Sequence, residues 1–132
     1  MGQKKGFTML ELIIVAIIVG ILSTLAFVNH ILTMELTLDK DAASALKVLR
    51  AAEMAYRSDM GTYYPSAGSD STIATINANL KVLLSAAGNR PWNYTVWSTG
   101  CVSATRNGGD GRSWHFEIDD ADDTPDAGAG CP

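Results

Sequence analysis

One acid at the threshold of a long apolar run limits this chain more than any other feature. From Leu12 to Val28 only Gly20, Ser23 and Thr24 interrupt the apolar residues, and Glu11 stands directly before them. The run reaches the short end of the roughly 17–25 residues that a membrane-crossing helix uses. A carboxylate held at bilayer depth costs about 2.5–3.5 kcal/mol on insertion scales, so an acid placed there calls for a partner. Lys4 and Lys5 precede the run with no acid beside them. Positive residues stay on the cytoplasmic side, which orients the N-terminus inward and the rest of the chain outward.

Two ordinary readings leave Glu11 without a purpose. A secretory signal peptide would use the basic start and the apolar stretch, with Thr24-Leu25-Ala26 as a loose cleavage site. A permanent single-span anchor would use the same residues. The stretch "KKGFTMLEL" resembles the processing site of type IV pilins and of the related type II secretion pseudopilins. The resemblance runs from Lys4 to about Ala26 and rests on a combination: basic leader, Gly-Phe-Thr, an acid four residues after the Phe, and an apolar helix.

That resemblance implies a series of roles. Gly6 would end a leader that prepilin peptidase removes on the cytoplasmic side, and Phe7 would become the methylated N-terminus. Glu11 of one subunit would neutralise the Phe7 amine of a neighbour during assembly. A paired buried charge is tolerable and an unpaired one is not, so the pair would distinguish docked from undocked subunits. The implied partners are copies of the chain itself in a helical homopolymer, prepilin peptidase, the pilus assembly platform and minor pilins. The inner membrane would hold the precursor before assembly. Many pilins carry a Pro near the end of the apolar run; Val28 occupies that place here, and no Pro precedes Pro65.

Beyond the run the pattern becomes amphipathic. Leu38, Ala42, Ala45, Leu49, Ala52 and Tyr56 recur at helical spacing, while Lys40, Ser44, Lys47, Arg50 and Arg57 fall on the other side. Glu53 and Arg57 are spaced as an ion pair four residues apart. One helix is expected from about Phe7 to Asp59, with Gly61 as its cap and Pro65 barring continuation. The exit stretch Asp59–Pro65 also resembles the corresponding segment of pilins and major pseudopilins. "GSDST" reads as a polar loop whose Ser71 or Thr72 caps a second helix, Ile73–Ala87. "WNYTVWS", "CVSATR" and "SWHFEID" alternate as strands, with "NGGDG" as a hairpin turn. Trp92, Trp97 and Trp114 are expected in the core and rim of that sheet.

The 132 residues carry a net charge of −4, which argues against nucleic acid as a partner. Cys101 and Cys131 form an even pair in a domain that reads as exported, which favours a disulfide over a metal site. His30 and His115 are isolated, and Ser, His and Asp show no catalytic spacing, so no enzyme activity is expected. Asn93-Tyr94-Thr95 fits a glycosylation acceptor by letter only. The acidic stretch "DDADDTPD" has two readings. One is a solvated loop; the other is a calcium loop using Asp119, Asp120, Asp122, Asp123 and Asp126, since calcium takes carboxylate and carbonyl oxygens. Resemblance to major pseudopilins, which bind calcium in a C-terminal loop, adds to the second, although the spacing is not that of an EF-hand. No other cofactor is expected.

The expected architecture is α+β, a pilin-like lollipop. Residues 1–6 form the leader, 7–28 the transmembrane or filament-core helix, 29–59 its amphipathic half, and 60–132 the head. The head would hold a short helix and a small antiparallel sheet closed by Cys101 and Cys131. The expected role is a structural subunit of an extracellular type IV pilus-like filament. A pseudopilin of a type II secretion system is the alternative. From another class, a secreted or anchored binding domain behind an ordinary signal is the rival.

Overall fold

A computed structural model describes residues 6–108, 110–128 and 130–132. The leader residues 1–5, with Lys4 and Lys5, lie outside the described residues, as do Gly109 of the "NGGDG" stretch and the side chain of Val28. A long N-terminal helix, α1 (Met9–Met60), is followed by a small, open, antiparallel sheet and one short helix, an α+β fold. By internal contacts the chain divides into two units, 1–37 and 38–132.

From Met9 the first unit is helix, and its described residues form no buried core of their own. Its described large apolar side chains from Phe7 to Leu36 are all exposed, between 47% and 85%. The hydroxyls inside it are satisfied locally: Ser23 donates to the Val19 carbonyl at 2.7 Å and Thr24 to that of Ile21 at 2.8 Å. A helix that bonds its own polar side chains this way can sit in an apolar surrounding. By length and composition α1 is apolar enough to cross a membrane.

The second unit holds the core. Ala42, Leu46 and Leu49 of α1 are fully buried, with Ala45, Ala52 and Tyr56 at the margin of the same stripe. The helix ends on Gly61 in the left-handed region (φ 78°), whose N–H donates to the Arg57 carbonyl at 2.8 Å. Five strands follow in simple sequential order: β1 (Ser69–Asp70), β2 (Trp92–Trp97), β3 (Cys101–Arg106), β4 (Ser113–Glu117) and β5 (Asp126–Ala127). Val96 faces Val102 and Val102 faces Phe116, so period-two alternation puts Trp92, Tyr94, Val96, Ala104 and Phe116 on the core side.

Cys101 and Ser103 point to the opposite face, yet both are buried. The C-terminal segment covers them. Cys131 is bonded to Cys101 with 5.8 Å between Cα atoms, and the Gly128 carbonyl lies 2.9 Å from His115 Nδ1. A side chain at Gly130 would meet the His115 ring at 2.0 Å, so only glycine passes there. His115 is thus part of the seat for the C-terminal segment.

Several expectations need correction. The second helix, α2, spans Ile73–Leu80 and stops well before Ala87. Lys81 adopts a left-handed backbone, and the Asn77 amide exchanges two hydrogen bonds with the backbone of Leu84, both at 2.9 Å. That ring folds Val82 and Leu84 back onto the core in place of another helical turn. Thr72 stands at the N-cap position without a side-chain cap bond; Asp70 takes the Thr72 N–H at 2.8 Å and the Thr75 hydroxyl. Asp70 belongs to β1, so "GSDST" is not only loop, and the sheet has five strands where three were expected.

Two side chains of α1 also depart from expectation. Glu53 lies on the buried stripe, 0% exposed, and accepts the Tyr64 N–H at 2.9 Å. Arg57 pairs instead with Asp119 at 2.8 Å and with the Tyr63 hydroxyl, so the expected Glu53–Arg57 pair gives way to two separate contacts. Arg50, placed on the solvated side by periodicity, has a side chain only 15% exposed.

Candidate assembly site

The N-terminal residues form their own small structure. Gly6, Phe7 and Thr8 precede the first helical turn, and Thr8 acts as its cap. The Thr8 hydroxyl accepts the Glu11 N–H at 3.3 Å, and the Thr8 carbonyl accepts the Leu12 N–H at 3.2 Å. Thr8-Met9-Leu10-Glu11 is therefore a capping-box sequence, with Glu11 at its third helical position. This use of Thr8 was legible in the T-x-x-E spacing and was missed. A carboxylate in the first turn also sits favourably against the positive end of the helix dipole.

Gly6, Phe7, Thr8 and Glu11 line one open depression. The residues singled out for processing and for assembly are thus neighbours in space as well as in sequence. Phe7 is 81% exposed, which leaves the Gly6–Phe7 bond on exposed, non-helical chain ahead of the helix. Peptidases need such chain, because a helical backbone has its amides engaged. Beyond Glu11 the exposed apolar surface continues without a charge up to Glu35. Apolar surface of that extent marks a membrane or protein contact.

Residues 1–27 match the family model described as the prokaryotic N-terminal methylation motif. The chain carries a prepilin signal. The signal is of the type IV pilin and pseudopilin kind, and the α+β architecture behind it is consistent with a pilin-like fold. No curated protein and no solved structure matches the chain. The prepilin motif and the apolar helix suit a membrane-anchored precursor that later joins a filament, and a structural rather than an enzymatic protein.

The acidic C-terminal residues are spread over several different contacts. Asp119 accepts from the Tyr63 hydroxyl at 2.7 Å and pairs with Arg57, which together hold its carboxyl below the ordinary range. Asp123 lies 2.9 Å from Arg50 and 3.7 Å from Lys47. Asp126 is in β5, opposite His115. Asp120 and Asp122 turn their carbonyls toward Arg50. Among the described residues no three His, Cys, Asp or Glu side chains gather as a metal site. Asp70 shows the opposite balance within one group. Its burial raises the carboxyl, but hydrogen bonds from Thr75, Tyr64 and Thr72 outweigh that and lower it.

Proposed function

We propose that this chain is the repeating structural subunit of an extracellular pilus-like filament. Prepilin peptidase would cut after Gly6, methylation would follow at Phe7, and subunits would assemble through the N-terminal helix. The methylation motif over residues 1–27 carries this reading. The exposed apolar helix behind the motif supports it, because packing against the same helix of other subunits would cover that surface. The new amine at Phe7 and the Glu11 carboxylate would supply the charge pair that only a docked subunit completes. The assembly platform and minor pilins complete the set of partners. The chain would perform no catalysis.

Intact mass and N-terminal sequencing of the protein from cells test the processing step. Loss of Met1–Gly6 with a methylated Phe7 is expected, and cleavage after Ala26 would hand the case to a secretory signal. Glu11→Ala, expressed as the sole copy, should leave the precursor inserted and 38–132 folded while sheared filament is lost. Normal filament yield from that variant would sink the pairing. A pseudopilin is the second reading, favoured by the acidic C-terminal loop; filament confined beneath the outer surface would select it.

A further inference from the structure

The C-terminal loop between β4 and β5 is built around a cation, and that cation is Arg50. Its guanidinium donates to the Asp120 carbonyl at 2.7 Å, the Ile118 carbonyl at 3.3 Å and the Asp122 carbonyl at 3.4 Å. It also meets the Asp123 carboxylate at 2.9 Å, and its carbon stands 4.4 Å from the centre of the Phe116 ring. Three backbone carbonyls and one carboxylate turned to one guanidinium are the types of oxygen that a loop offers to calcium. Here a planar, permanently charged fork with five donors satisfies those oxygens, and its weak hydration lets it be largely buried.

We propose that Arg50 takes the place of a divalent cation in this loop, so the protein folds its C-terminal segment without calcium. The residues present do not fit a calcium ion while the guanidinium is there: it would bring a second positive charge to oxygens already engaged. Without the guanidinium the same carbonyls would lose their donor and converge on vacated space, where a hard cation could replace it. The proposal is independent of whether the chain builds pili or another assembly.

Thermal unfolding of the full chain in detergent micelles tests it. Fluorescence reports on this unit because Trp92, Trp97 and Trp114 all lie within 38–132. Wild type should melt at the same temperature, within about 2 °C, in millimolar calcium and in chelator. Arg50→Met keeps the apolar stem and should lower the midpoint by roughly 10 °C in chelator. Millimolar calcium, but not magnesium, should return at least half of that loss, since magnesium demands tighter octahedral geometry. A wild-type rise of roughly 5 °C or more with calcium would overturn the proposal by showing a resident metal site. Unchanged melting of Arg50→Met would overturn it as well, and so would a loss that calcium fails to recover. Should Arg50→Met fail to fold, Arg50→Gln removes the charge and keeps a polar donor; a calcium response in that variant and not in wild type carries the same test, and no response in it would overturn the proposal.

Discussion

The two halves of α1 use one backbone conformation for opposite purposes. Before Thr37 the helix exposes Leu, Ile and Val on every side. From Leu38 onward a single stripe is buried against sheet and short helix, and charged residues take up the margins. A helix that is apolar all round is made for an apolar medium outside the molecule, whereas a striped one closes a core within it. Stability measured on the isolated protein should therefore depend almost wholly on 38–132.

The largest effect expected is on the bond that closes the second unit. Cys101 and Cys131 are separated by 30 residues. In the chain-entropy model, opening a loop of that size costs about 3–4 kcal/mol. Replacing both cysteines by serine should show this in chemical unfolding followed by tryptophan fluorescence. It should leave membrane insertion of the precursor unchanged. Equal damage to insertion would break the separation between the halves.

A matched pair of truncations sharpens the contrast. Leu46 is fully buried, and Leu46→Ala should cost about 3 kcal/mol as transfer and cavity losses add. Ile17 is 57% exposed, and Ile17→Ala should change the same unfolding curve by less than about 0.5 kcal/mol. Filament yield should reverse the ranking relative to stability, because in the proposed filament Ile17 would find its packing partners on other subunits. A stability loss of similar size at both positions would remove the distinction.

How far the sequence exposed this arrangement follows the same division. The N-terminal half was legible because its signals are local: a basic leader, an acid at fixed spacing and an unbroken apolar run. The long helix, three main strands and the α+β class were legible from periodicity. The missed features depend on contacts distant in sequence. Arg50 looked solvated because periodicity cannot see a loop near residue 120 folding over it. Glu53 looked like one member of a surface pair because its acceptor role needs the Tyr64 N–H beyond the helix end. The end of α2 was misplaced because an asparagine ring, not a Gly or Pro, stops it.

Glu53 gives the third prediction. Burial pushes its carboxyl up to about 7, and the Tyr64 N–H only partly offsets that. The folded state therefore binds this proton more tightly than the unfolded chain, whose value lies near 4.5. Its contribution to stability is present below the lower value and is lost as pH rises through the upper one. Glu53→Gln keeps an acceptor for Tyr64 and removes the titration. It should add roughly 3 kcal/mol near pH 8 and almost nothing near pH 4. Subtracting wild-type from variant unfolding energies across that range isolates Glu53 from Asp70 and Asp119, whose lowered carboxyls act in the opposite direction. A variant that is less stable near pH 8 would show that the charge is well accommodated.

The smallest effect expected lies in the first turn of α1. The Thr8 hydroxyl holds the Glu11 N–H, the hydroxyl half of a capping box. Thr8→Ala removes that acceptor and should cost about 1 kcal/mol of local helix stability, felt only before the second turn. Amide exchange in micelles should then quicken about five-fold at Glu11 and fade within one turn. Thr8→Ser should restore protection, since serine caps as well as threonine. Unfolding of 38–132 should not respond to either change. The reason to expect so small a local effect to matter is geometric. The cap fixes where the helix begins, and in the proposed filament that start would set the distance from the Phe7 amine of one subunit to the Glu11 carboxylate of the next. Filament yield of Thr8→Ala should consequently fall while Thr8→Ser assembles normally. Equal yields with unequal protection would show that the position of the helix start does not govern docking.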